Sequence, residues 1–267
     1  MSMQLDTRQR AMLQEMGVRV WLPQTVVPDA PVVRPRIAVA APVPTPEINS
    51  PVHVPAIATR AAAAIPPGAP GAPDVQLLDG SALAHAAAAC DACGLCAGRK
   101  NTTLRATTLV QSDWMLLGDP PDEDEDREGI AFTQHAGALL DNMLLAVGKS
   151  RGASGAQGAY ASNVVKCRPP HGRLPQATEL AQCAAYLQRE IALVQPKVIV
   201  SMGRFANQLL LADSPHVSAQ PLGKLRGTIH RYQGIAVVVT YAPKDLLRRS
   251  ADKAKAWADM CLALDTN

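Results

Sequence analysis

Four short apolar runs recur through the second half of the chain: DWMLLGD (113–119), AYASNVV (159–165), KVIVSMG (197–203) and GIAVVVTY (234–241). They are too short to span a membrane and too continuously apolar to be buried on one face only. Segments of helical period lie between or after them: HAGALLDNMLLAVG (135–148), ATELAQCAAYLQREIALV (177–194), RFANQLLLA (204–212) and DKAKAWADMCLALD (252–265). Strands that need cover on both faces, alternating with helices that can supply it, predict a three-layer α/β/α domain over 76–267. Its core is a central four-stranded, mainly parallel sheet. Ligands of such folds bind beyond the carboxyl ends of the strands. Three of the four ends run into GDPPDEDEDREG, NVVKCRPPHGR and APKDLLRR.

The chain upstream has a different texture. Residues 22–75 hold 13 of the 22 prolines, interleaved with Ala and Val. Proline removes backbone donors, and no helical or strand period runs through the stretch, so it reads as a disordered linker. Before it, residues 1–21 place Met12, Leu13 and Met16 on one helical face, end that face at Gly17 and continue to Trp21. This is an amphipathic anchor peptide too short to fold alone. No secretory signal and no 18-residue apolar span occur, so a cytoplasmic location is expected. A net charge of +3 permits a nucleic-acid partner without arguing for one.

Six cysteines in a reducing compartment point to metal ligation more than to disulfides. CDACGLC brings Cys90, Cys93 and Cys96 close together, and two thiolates two residues apart can grip one centre from a single turn. Cys167, in KCRPP, and Cys183, in the following helix, can close a four-thiolate site. Zinc and a [4Fe–4S] cluster both suit such ligands. Cys261, on an amphipathic helix, reads as a buried small hydrophobe.

Several of these motifs occur in an order that resembles the family 4 uracil-DNA glycosylases, the iron–sulfur members of their superfamily. CDACGLCAGRKNTTL resembles the first cysteine pair and its flank. LLGDPPDEDEDREGIAFTQHAGALLD resembles a pattern that begins G-E-A-P-G and ends P-F-V-G-x-A-G-x-L-L-D. SNVVKCRPPHGRLP resembles T-N-V-V-K-C-R-P-P, and VIVSMGRFA, LGKLRG and VVTYAPKDLLR match the remaining landmarks. The resemblance implies a structural [4Fe–4S] cluster on Cys90, Cys93, Cys167 and Cys183. It also implies a DNA partner, single- or double-stranded, whose base is flipped into a pocket. There Phe132 would stack on the base, Asn163 would read its edge, and Asp119 would join Asn163 as the catalytic set. Leu246 or Leu247 would fill the gap left in the duplex. Lys166, Arg168, Arg173, Lys224, Arg226, Arg248 and Arg249 would hold phosphates.

The departures from the pattern gather at the pocket. Asp119 stands for the family Glu, Asp122 for the second Gly of G-E-A-P-G, Ala131 for Pro and Gln134 for Gly. Ala242 stands where the family has the His of T-Y-H-P, the donor aimed at the developing uracil anion. Seven acidic residues and one Arg lie between Asp119 and Glu128, a run that reads as a solvated loop. Together these predict a glycosylase-type domain whose excision of uracil is weak or lost. TRQRAMLQEMGVRVW also resembles the N-terminal peptide of the psi subunit of the bacterial DNA polymerase III clamp-loader complex. That raises a second reading, a non-catalytic replisome or DNA-binding subunit anchored through residues 1–21.

Overall fold

The protein is described here from a computed structural model covering residues 74–266. The anchor peptide and the Pro/Ala-rich segment as far as residue 73 lie outside the described residues, while Val75, read as the end of the linker, is buried.

The sheet has five strands in the order β2-β1-β3-β5-β4. Strands β1 (Ser112–Gly118), β2 (Gly155–Asn163), β3 (Val198–Met202) and β5 (Ile235–Val239) are mutually parallel. The expected four are all present. The fifth, β4 (Ile229–Tyr232), pairs antiparallel with β5 at the sheet edge. It is joined to β5 by Gln233 and Gly234, both at positive φ (48° and 86°), the geometry of a two-residue hairpin turn whose twist suits its strands. Val164 and Val165, read as strand, lie buried just beyond β2.

Successive side chains of the central strands point to opposite faces of the sheet, and both faces are buried. Met115, Leu117, Ile199 and Val237 face one side, where α4 (Ala177–Val194) supplies Leu187, Ile191 and Val194 and α5 (Arg204–Leu210) supplies Phe205, Ala206 and Leu209. Trp114, Leu116, Val198, Val200 and Val238 face the other. There they meet Leu140 and Leu144 of α3 (Gln134–Ala146) and Met260 and Ala263 of α9 (Lys253–Asp265). The three-layer α/β/α architecture follows. Each fully buried Leu, Ile or Val contributes about 1.5–3 kcal/mol by leaving water. Cys261 of α9 is only half-buried and lies outside these clusters.

A smaller apolar cluster fastens α1 (Gly80–Ala89) to α4: Val75, Leu83, Ala87, Leu104 and Tyr186. Asp79 starts α1 by accepting the Ala82 N–H at 2.8 Å, a side-chain N-cap. Tyr186 Oη donates to the Ala86 carbonyl (3.1 Å), and Arg189 Nε donates to that of Leu78 (2.6 Å).

Candidate nucleic-acid pocket and cysteine centre

The register places Gly118 of β1 beside Asn163 of β2 and Met202 of β3, and Ser201 beside Val239. Asp119, Asn163, Gly203 and the 240–248 loop therefore share one end of the sheet. β1 is flanked by β2 and β3, so the chain order reverses there and a crevice opens at the strand ends.

Asp119 occupies that crevice. Its carboxylate accepts the N–H groups of Arg204 (3.0 Å), Phe205 (2.7 Å) and Ala206 (3.3 Å) at the start of α5. Gly203 makes room for this, because a Cβ there would collide with the carboxylate. Burial raises the Asp119 carboxyl above its ordinary value despite the three opposing N–H donors.

The acidic run is folded, not a solvated loop. It forms α2 (Glu123–Glu128), with a reciprocal capping box between Asp122 and Glu125, both bonds 2.9 Å, and Gly129 in the left-handed conformation at its end. Glu125 is 2% exposed. Its Oε1 accepts the Phe132 N–H (2.6 Å) and Asn163 Nδ2 (3.4 Å), and its Oε2 accepts Lys244 Nζ (3.0 Å). Asp126 is also buried and accepts the Lys100 N–H at 3.0 Å.

Phe132 lies under this carboxylate at φ +55°, a left-handed conformation unusual for an aromatic residue. Its ring fits only because position 118 is glycine: a Cβ on Gly118 would be 2.7 Å from Phe132 Cζ. Arg151 braces the same segment, donating to the carbonyls of Ala131 (3.1 Å) and Phe132 (2.9 Å) while Asp141 holds it at 2.6 Å through both carboxylate oxygens. Asn163 donates to the Asp119 carbonyl at 2.9 Å, and its buried Oδ1 has no hydrogen-bond partner among the described residues. Phe132, Asn163 and Asp119 are thus brought together as expected, but Asp119 faces a helix start and Phe132 is 5% exposed.

The loop after β5 reaches the pocket through a residue that the sequence reading passed over. After the short helices α6 (Pro215–Ser218) and α7 (Leu222–Leu225), Ala242 precedes α8 (Pro243–Arg248) and caps it with no side-chain hydrogen bond. Lys244 is the second residue of that helix, 2.5 Å from Asp122 Oδ2 and 3.0 Å from Glu125 Oε2. Burial alone would raise the Asp122 carboxyl, but the Glu125 N–H and Lys244 outweigh it and hold it below the ordinary range. Leu246 is 1% exposed and packs inward, whereas Leu247 is 47% exposed. A wedge from this loop would therefore be Leu247. Arg248 and Arg249 are exposed beside it.

Three of the expected phosphate ligands are paired with carboxylates of the protein itself. Lys166 is buried; it pairs with Glu190 and donates to Ser162 Oγ and the Asn163 carbonyl, both at 2.7 Å. Glu190 also accepts Tyr160 Oη at 2.6 Å. Arg226 is held by Asp259 (2.7 Å) and Arg173 by Glu179 (2.5 Å). Arg168 lies 3.2 Å from the exposed Glu123, a weak surface pair.

The cysteines gather at the far side of the 163–168 segment. Cys90 ends α1, Cys93 precedes a 3₁₀ turn at Gly94–Gly98, Cys167 follows β2, and Cys183 projects from α4. All four line one small cavity, with Cys96, Lys166 and Tyr186. Arg99 donates to Cys167 Sγ at 3.3 Å and to the Cys90 carbonyl at 3.0 Å, and the Lys166 N–H donates to Cys183 Sγ at 3.4 Å. Burial pushes the Cys183 thiol up to about 12 and also raises Cys93 and Cys167. Among the described residues, no three His, Cys, Asp or Glu side chains converge on a single-ion geometry.

The family model for the uracil DNA glycosylase superfamily matches residues 106–261. A type-4 uracil-DNA glycosylase of Thermotoga maritima is 34% identical over 167 residues, covering 62% of this chain and 82% of that protein. One of Pyrobaculum aerophilum is 31% identical over 177 residues, covering 65% and 87%. One of Archaeoglobus fulgidus is 32% identical over 143 residues, covering 52% and 69%. The chain belongs to the uracil-DNA glycosylase superfamily, within its type-4 family. Among the described residues no helix is long and apolar enough to cross a membrane.

Proposed function

We propose that this is a DNA-binding, uracil-DNA-glycosylase-type repair protein whose excision of uracil is weak or lost. The observation that carries this reading is the engagement of Lys244 with Asp122 and Glu125 in a pocket where position 242 is alanine. Two carboxylates and one ammonium leave the pocket mouth net negative, which disfavours a uracil anion as leaving group. What survives is recognition: the Phe132 ring and the unpartnered Asn163 Oδ1, which can accept the imide N–H of a uracil. Leu247 and the exposed Arg248 would engage the strand.

Incubation with uracil-containing single- and double-stranded DNA, followed by abasic-site detection, tests it. The expected result is little or no product from the native protein. Asp122→Gly with Ala242→His should raise the rate by about two orders of magnitude or more, the scale of one charge-stabilising donor. Rapid excision by the native protein, lost in Asn163→Ala, would overturn the reading.

The cysteine centre is proposed to hold a [4Fe–4S] cluster on Cys90, Cys93, Cys167 and Cys183, as in the type-4 class. The support is the ligand set itself: four thiols from three separate parts of the chain line one common cavity. When bound, the cluster supplies a rigid cross-link between α1, the 167 loop and α4. The alternative reading is a clamp-loader or DNA-binding subunit tethered through residues 1–21. It draws on Trp21 and the apolar stripe of that peptide, a common type of interface anchor.

A further inference from the structure

A cavity of about 420 Å³ lies beside the segment that leads into Phe132, outside the pocket described above. Ile130 and Ala131 form one wall, Ser150–Gly152 another, and Thr103, Arg105 and Thr108 a third. Its charges are unequal. Asp141 is present, but both its oxygens are taken by Arg151, whose remaining donors hold backbone carbonyls. Arg105 is exposed and has no ion pair among the described residues. The cavity is therefore net positive, with its free cation at Arg105.

The hydroxyls add direction. Thr103 is 5% exposed, yet its Oγ1 makes no hydrogen bond among the described residues. A buried hydroxyl left without a partner is costly, so a ligand that completes it is favoured. Ser150 Oγ accepts the Gly152 N–H at 3.2 Å, which leaves its own proton to give. Thr108 spends its proton on the Arg105 carbonyl at 3.0 Å. The free donors are thus one guanidinium fork and two hydroxyls on separate walls. A flat carboxylate would be satisfied by the fork alone; a tetrahedral oxyanion presents further oxygens to the hydroxyls.

We propose that this cavity is a phosphate-binding site, with Arg105, Thr103 and Ser150 as its donors. The shared ligand chemistry is a phosphate oxyanion, carried either by a free phosphate or by a nucleic-acid strand. The proposal stands on the cavity and does not require base excision.

Isothermal titration of the full-length protein with inorganic phosphate, and separately with a short unphosphorylated oligothymidine, tests it. Saturable binding of at least one probe is expected. Arg105→Ala should weaken it about tenfold or more, the scale of a charge-assisted hydrogen bond, and Thr103→Val by a smaller factor. If both probes weaken, the strand backbone is the ligand, and the salt dependence of oligonucleotide binding should fall by about one phosphate contact in Arg105→Ala. If only inorganic phosphate weakens, the site serves a free phosphate. Melting curves of both variants report whether they fold. No saturable binding of either probe to the native protein overturns the proposal. So does native-like affinity for both probes in well-folded Arg105→Ala and Thr103→Val.

Discussion

Lys244, two residues past the alanine at position 242, closes a 2.5 Å ion pair with Asp122, and so joins α8 to α2 across the pocket mouth. Neither residue's neighbours in sequence reveal this pairing, and it alters what both can do. Lys244 is no longer a free cation for DNA, and Asp122 is no longer an unopposed negative charge. Replacing Lys244 by Met would leave buried Glu125 without its cation. We expect a loss of about 1–3 kcal/mol in unfolding free energy, below the full cost for a buried pair because Lys244 is partly exposed. Urea denaturation measures it, with Lys244→Arg losing less. An unchanged midpoint would show that the bridge contributes nothing to stability.

The same pair sets a response to acid. The folded-state value of Asp122 is lowered, so its stabilising contribution is present above its ordinary value near 3.8 and lost as pH falls through the folded value. Asp119 has the opposite sign. Its folded value is raised by burial, so the folded state keeps a proton that the unfolded chain has released. Its contribution falls as pH rises from about 3.8 through that raised value, and is constant above it. Stability measured against pH should lose this downward trend in Asp119→Asn, which keeps an acceptor for the start of α5. A profile parallel to the native one would refute the assignment.

The buried Lys166–Glu190 pair offers a sharper test of how the strand end is held. Lys166→Met leaves Glu190 charged and buried, at a cost of about 3–5 kcal/mol. Lys166→Met with Glu190→Leu removes both charges and should recover most of that loss, leaving chiefly the unpaired Tyr160 and Ser162 hydroxyls. If the double variant is as unstable as the single one, the pair's importance lies in its hydrogen bonds, not its charges.

Anaerobic preparation should give a brown protein with iron and acid-labile sulfide in equal amounts. Cys183→Ser should lower both and destabilise α1, because the proposed cluster would join that helix, through Cys90, to Cys183 of α4. Chelation of the native protein should produce the same destabilisation, read by circular dichroism. Zinc in place of iron and sulfide would refute the cluster.

Much of this architecture is legible before any coordinates. KVIVSMG and GIAVVVTY could hardly be anything but doubly covered strands, and the five strands differ from the expected four only at β4. That strand escapes notice because His230 and Arg231 break its apolar character at an exposed edge, and because Gln233-Gly234 is not one of the Asn-Gly or Asp-Gly pairs that mark a hairpin turn. Asp122-x-x-Glu125 is likewise a readable capping box, and would have shown the acidic run to be a helix. Leu246 and Leu247 are separated only by helical phase once Pro243 starts a helix. The partners of Lys166, Lys244 and Arg151 were out of reach, because each comes from a separate element whose placement against them no local pattern gives. A lysine after a strand looks the same whether it meets a phosphate or a buried glutamate.

The fastening of α1 to α4 has a mechanical side. Any pull transmitted along the chain into Val75 reaches the domain through α1 first. It is resisted there by Arg189 holding the Leu78 carbonyl, Tyr186 holding that of Ala86, and the Leu83 and Ala87 side chains behind them. These contacts lie on α4, the helix whose Glu190 is buried beside Ser162 at the end of β2. Because α4 also carries Glu190, which holds Lys166 against the Asn163 carbonyl, a load applied at residue 75 would pass through α4 toward the end of β2.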